Sequence, residues 1–305
     1  MRLARRWLGC TSIAVAALAA CASDEGRPAT DTALGDDAIT VGSFAFPESV
    51  LLAEIYSQAL EAGGFRVERA LGLGPREFAG PALSVGLIEL LPEYAGTALT
   101  FRSRGTAEPS ADAAETHRGL ERALEGTDVT ALASAPAQNA NTFVVTAATA
   151  IRYDLQQLSD LAPIAGELSF GGPPECPTRA LCLLGLQERY GLRFGDVVTT
   201  LDASGPITLA ALRTGGVDVA LMFTTDPALA EFIELADDRE LQPADNVTPL
   251  VRREVVERWG PSVVDLIDGV SARLDTVALR RLNASAAEAD VAAVAAAWLE
   301  SEELT

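Results

Sequence analysis

Ile88–Glu89–Leu90–Leu91–Pro92–Glu93–Tyr94–Ala95–Gly96–Thr97–Ala98–Leu99 is the stretch on which the fold turns. Ile88 to Leu91 reads as a short buried strand, and Glu93 to Thr97 follows directly at its carboxyl end. Working outward, Ile39–Thr40–Val41–Gly42–Ser43 reads as an opening strand of the same kind. Glu48 to Ala62 sets Leu52, Ile55, Ala59 and Ala62 at helical spacing, and Gly63–Gly64 ends that helix. Phe65 to Leu71 alternates as a strand, and Arg76 to Val85 reads as a helix.

The same βα rhythm runs on. Ala111 to Leu124 is a helix and Val129 to Leu132 a strand. Ala135–Pro136–Ala137–Gln138–Asn139–Ala140–Asn141 interrupts the pattern, and Thr142 to Val145 starts a second series. Strands are expected at Ile164–Leu168, Val197–Leu201 and Val217–Met222, with helices over Arg179–Arg189 and from Pro206 to Arg213. Phe223 to Pro227 is a second break. One more strand, Val247–Val251, and several helices follow, including an apolar, alanine-rich C-terminal one over Val291–Leu299. Alternating strands and helices predict an α/β fold with mainly parallel sheets.

The opening strand, Leu73–Gly74–Pro75–Arg76–Glu77 and the Ile88–Leu99 run together resemble the start of the osmoprotectant (glycine betaine/choline/carnitine-type) substrate-binding proteins of ABC importers. The resemblance implies a bilobed periplasmic-binding fold of type II-like form, with two mixed, mainly parallel sheets and two hinge crossovers. Lobe one would be residues 38–139 plus 226–305, and lobe two residues 140–225. It also implies capture of a small solute, no catalysis, and delivery to an ABC permease driven by its ATPase subunit. Such a binding subunit works as a monomer.

Arg2, Arg5 and Arg6 precede a short apolar stretch, Ile13–Ala20, as in a secretory signal over residues 1–20. Leu18–Ala19–Ala20–Cys21 looks like a bacterial lipobox, which implies cleavage before Cys21 and a lipid anchor on its sulfur. Residues 21–37, rich in Asp, Gly, Pro, Thr and Ala, read as a flexible tether. The expected location is therefore extracytoplasmic and membrane-anchored. Formal net charge is −20, and all 23 basic residues are Arg. That balance argues against nucleic acid and is compatible with a cationic ligand.

Cys176 and Cys182 sit in Cys176–Pro177–Thr178–Arg179–Ala180–Leu181–Cys182. In an exported chain they most simply form one disulfide. A zinc site is disfavoured by the single histidine, His117, which reads as solvated on a surface helix. No cofactor is called for: the chain has no phosphate loop or dinucleotide fingerprint.

Ligands of open α/β sheets bind beyond the carboxyl ends of strands. That rule selects Ser43, Phe46, Glu48, Arg76, Glu77, Tyr94, Thr97, Thr224, Thr225 and Asp226, with Asn139 and Asn141 at the first break. The resemblance implies aromatic rings around a quaternary ammonium, with Tyr94 and Phe46 at the family's ring positions. Phe143 and Phe223 flank the breaks and can add rings or pack as core. Arg76 is suited to fork onto a ligand carboxylate. Glu48 or Glu77 can face a cationic head. The region matching the family's third segment, Leu241–Gln242–Pro243–Ala244–Asp245–Asn246–Val247, holds no aromatic. Fewer rings suit a smaller or more polar head group.

Overall fold

A computed structural model describes residues 37–202 and 204–305. The leader, most of the tether and Cys21 lie outside the described residues. The first sheet is built from β1 (Ala38–Gly42), β2 (Arg66–Ala70), β3 (Leu90–Tyr94), β4 (Val129–Ala131) and a late strand, Val247–Arg252. Helices α1 (Pro47–Ala62), α2 (Arg76–Ser84), α3 (Ala95–Arg102) and α4 (Ala113–Leu124) connect its early strands. The second lobe follows as β5 (Asn141–Val145), α5 (Ala147–Tyr153), β6 (Ser169–Gly171), α6 (Leu183–Tyr190), β7 (Asp196–Val198), α7 (Pro206–Thr214), β8 (Val219–Phe223) and β9 (Ile233–Leu235). The chain returns through β10 (Val247–Arg252) and closes with α8 (Arg253–Trp259), α9 (Pro261–Arg273), α10 (Thr276–Glu288) and α11 (Val291–Ser301).

The two sheets have strand orders β2-β1-β3-β10-β4 and β7-β6-β8-β5-β9. In each, one strand runs against the other four. That strand is β10 in the first sheet, antiparallel to β3 and β4, and β5 in the second, antiparallel to β8 and β9. Both reversed strands are the ones that enter from the other lobe. The register therefore sets the start of each beside the carboxyl end of a neighbour: Val247 faces Tyr94 and Asn141 faces Phe223. The carboxyl ends of both sheets and both lobe crossings thus share one edge, where the topology predicts a ligand.

Two expectations need correction. The sequence pattern puts the return to lobe one at residue 226, but β9 pairs with β5, and Leu241 packs in the lobe-two core. The chain crosses back only near Pro243–Asn246, where the Ala244 amide donates to the Ser110 carbonyl and Ala95 N to Asn246 O. Ile164–Leu168 is not a strand: Ala165–Glu167 is a 3₁₀ turn, and the strand is Ser169–Gly171. Its apolar side chains, Ala165 and Leu168, are buried because the turn itself packs into the core. Helix α3 starts immediately after β3 with no intervening turn.

Helix α1 is the spine of lobe one. Leu51, Leu52, Ile55, Tyr56 and Leu60 are fully buried against the sheet and against α9 and α11. Each such side chain contributes roughly 1.5–3 kcal/mol through burial. The Tyr56 hydroxyl shares a hydrogen bond with Ser271 Oγ at 3.0 Å, which ties α1 to α9. Pro47 fits the first turn, where no N–H is needed, so α1 begins at the cleft edge. In lobe two, Cys176 and Cys182 form a disulfide that clamps the entrance of α6. Both sulfurs are buried, while Arg179 between them is exposed.

Candidate functional site

The turn after β1 is built by Ser43 and Ser49. Ser43 Oγ accepts from Gly72 N at 2.8 Å and donates to the Phe44 carbonyl, while Ser49 Oγ accepts from Phe44 N at 2.9 Å. Ser43 is fully buried, so it shapes the site from behind and does not reach a ligand. The turn projects a ladder of rings. Phe44 stacks on Phe46 at 5.8 Å, and Phe46 stacks on Tyr94 at 6.1 Å. Phe46 is 40 % exposed and Tyr94 only 5 %, so Phe46 is the open ring of the ladder and Tyr94 is nearly sealed behind it. Across the cleft, Phe223 at the end of β8 is 37 % exposed. Of the two roles open to Phe223, added ring or core packing, the structure gives it an exposed place on the cleft wall.

These rings bound a cleft of about 270 Å³ lined from lobe one by Phe46, Tyr94 and Thr97, and from lobe two by Asn141, Leu181 and Phe223. Asn139, Ala140 and Pro243 of the crossings form its floor. Adjoining hollows share these walls. One contains Thr224, a second Arg179 and a third Thr225 and Asp226.

Glu48 lies beneath the rings. One oxygen accepts from the Tyr94 hydroxyl at 2.6 Å and from Asn139 Nδ2 at 2.9 Å. The other accepts from Asn283 Nδ2 at 2.6 Å. Burial and the adjacent Glu48 carboxylate push the Tyr94 pKa well above its usual value, so the phenol stays protonated and donates. Glu48 is therefore a node joining α1, β3, the first crossing and α10, not a free counter-charge. Asn283 also donates to the Thr225 carbonyl at 3.1 Å, and Arg280 to the Thr224 carbonyl at 2.6 and 3.0 Å. These two α10 residues grip the segment after β8. Sequence reading missed both, because they lie in a distant, unremarkable helix.

Arg76 is committed as well. Its guanidinium forks onto Glu93 with two bonds of 2.8 Å and reaches Thr97 Oγ1 at 3.0 Å. Its charge also lies 5.1 Å above the Phe44 ring. Arg76 thus neutralises the fully buried Glu93 and is not available to fork a ligand carboxylate. Glu77 is exposed, lines none of these hollows and does not join the site. Phe143 is 1 % exposed and packs on Phe170 in the lobe-two core. Thr224 Oγ1 bridges Gln138 O and Ala140 N, each at 3.0 Å, so it stitches the two connecting segments. Asp226 caps the turn that follows it through Ala228 N at 2.7 Å. Asn141 Nδ2 holds the Leu181 carbonyl at 3.1 Å. His117 is not solvated alone but bonded to Ser134 Oγ at 2.8 Å, away from the cleft.

One carboxylate in the cleft was not anticipated as a site residue. Asp245 Oδ1 accepts from Thr97 N at 3.0 Å and lies 3.4 Å from Thr97 Oγ1, facing the start of α3. Burial, partly opposed by the Thr97 amide and reinforced by Glu93, raises its pKa to about 7. The signal that could have found it is its place in the segment that resembles a ligand-contacting stretch.

Residues 37–301 match the family described as the substrate binding domain of the ABC-type glycine betaine transport system. The chain belongs to that family. It is 30 % identical to the glycine betaine-binding protein YehZ of Escherichia coli K12 over 279 residues, covering 87 % of this chain and 90 % of YehZ. It is 28 % identical to a glycine-betaine-binding protein of Pseudomonas aeruginosa, covering 81 % and 82 % of the two chains. Among solved structures, apo YehZ superposes with a TM-score of 0.75 at 27 % identity, covering 88 % of this chain and 99 % of that one. A protein described as a glycine betaine/carnitine/choline ABC transporter gives 0.80 at 24 % identity, covering 87 % and 99 %, which speaks for the fold. Family members are solute-binding proteins of ABC transporters and not enzymes, and the bilobed fold expected above is the one found. Among the described residues no helix is long and apolar enough to cross a membrane, and no cluster of side chains is suited to a metal ion.

Proposed function

We propose that this protein captures a small ammonium solute of the glycine betaine, choline and carnitine class between its lobes and delivers it to a permease. The observation that carries this reading is the pair of ring walls. Phe46 and Tyr94 come from one lobe and Phe223 from the other, and all three line one cleft. A cation held among desolvated rings gains up to about 2 kcal/mol per contact. Closure of lobe two by hinge motion would complete the enclosure. For a zwitterion the carboxylate partner is Arg179. Its guanidinium makes no hydrogen bond or ion pair among the described residues, and it lines the hollow that shares Asn141, Leu181 and Phe223 with the cleft. We place the protein outside the cytoplasm, held by a lipid on Cys21, and working as a monomeric binding subunit.

Calorimetric titration of residues 37–305 with glycine betaine, choline and carnitine tests the reading. Binding of at least one is expected, with a loss of tenfold or more in Phe46→Ala and Phe223→Ala. No binding of any of them by folded protein would overturn it.

A further inference from the structure

The cleft contains two hydrogen-bond acceptors that rings cannot serve. The first is Asp245, a cleft-lining carboxylate nine-tenths buried. The second is Asn139 Oδ1. Asn139 Nδ2 faces the Glu48 carboxylate, which fixes the orientation of the amide. Its oxygen is then buried with no donor among the described residues. The two residues are adjacent: the Asn139 backbone N–H donates to the Asp245 backbone carbonyl at 3.1 Å. Between them and the Phe46 face, the floor of the site is rich in acceptors. The one guanidinium lining this cleft, Arg76, is spent on Glu93.

We infer that this cleft grips its cation through N–H hydrogen bonds to Asp245 and Asn139, and so prefers ammonium solutes carrying at least one N–H over fully methylated ones. The inference rests on the solute-binding reading and refines its substrate class. A quaternary ammonium offers only C–H to these oxygens, so when it excludes water Asn139 Oδ1 stays unpaired and Asp245, already bonded to Thr97, gains no further donor. A secondary or tertiary ammonium keeps its charge and its contact with the rings, and supplies the missing donor. Sites built around a polar partner discriminate strongly against the analogue that lacks it. The rival role for Asp245 is purely structural, as a cap for α3 through Thr97 N. That role predicts a change in stability but none in solute order.

The test is the series glycine, sarcosine, dimethylglycine and glycine betaine, which holds the carboxylate constant and exchanges N–H for N-methyl one group at a time. Titrations are run at pH 8, above the pKa of about 7 that burial gives Asp245, so the carboxylate is ionised. Sarcosine or dimethylglycine is expected to bind about 10- to 100-fold tighter than glycine betaine, the ratio one charge-assisted hydrogen bond supplies. Asp245→Asn, checked for folding by its thermal transition, is expected to shrink that ratio to about threefold or less. Glycine betaine binding tightest in the unaltered protein would overturn the inference while leaving solute binding intact. An unchanged ratio in folded Asp245→Asn would equally overturn the role of Asp245. Should neither the series nor choline bind, the solute-binding reading itself falls, and this inference with it.

Discussion

The two walls of the cleft are built on different principles. On the lobe-one side nearly every polar group is already spent. Glu48 holds three donors, Arg76 and Glu93 hold each other, and the rings are stacked in a ladder. On the lobe-two side Phe223 and Arg179 stand exposed, and among the described residues the Arg179 guanidinium has no hydrogen-bond or ion-pair partner. The difference teaches a division of labour. On the proposed reading, lobe one is preorganised and loses little freedom on binding, whereas lobe two keeps groups in reserve for the closed state.

Three experiments strain this contrast. The largest effect should come from Arg76→Ala. It leaves the buried Glu93 carboxylate uncompensated, and an unfolding free energy lower by about 3–5 kcal/mol is expected in urea denaturation. A loss under 1 kcal/mol would mean that lobe one is less tightly coupled than its geometry implies.

A comparable effect, spread over several pH units, is a stability slope from Asp245. Its carboxyl titrates near 7 when folded, against about 3.9 in an unfolded chain. Between those values the folded state binds a proton that the unfolded state does not. The contribution of this group to stability is therefore greatest at and below about pH 4, and it declines as pH rises to about 7. Asp245→Asn lacks the slope, so its stability relative to the unaltered protein should climb from pH 4 to 7 and then level off. Melting curves across that range check the sign, and a flat difference would place Asp245 in contact with water.

The smallest effect on stability, and the most telling, is expected from Arg179→Ala. An exposed side chain without partners should cost under about 0.5 kcal/mol. Affinity for carboxylate-bearing solutes should nevertheless fall about tenfold or more, while choline, which has no carboxylate, is unaffected. Equal losses for both would remove Arg179 from the site.

Most of the scaffold was legible because strands such as Ile39–Gly42 and Val219–Met222 are short apolar runs and α1 has a clear helical period. Strand β9 was not: three residues with Glu234 in the middle carry no period, and only pairing with β5 defines it. The return crossing was misplaced for the same reason. In the site, the sequence offers the residue types but not their partners. Arg76 meets Glu93 from 17 positions away, and Glu48 meets Asn283 from 235 away.

By itself the sequence determined the βα order, the ring-bearing turn at Phe46, the Tyr94 strand end and the loop between Cys176 and Cys182. These follow from local periodicity, turn chemistry and residue type, which need no partner. Only the tertiary structure decided which charges were already neutralised and which remained for a solute. A carboxylate or guanidinium takes whichever partner the packed sheets bring within about 3 Å. That distance is set by the register of β3 against β10 and of β5 against β8, and no single segment of the chain contains it.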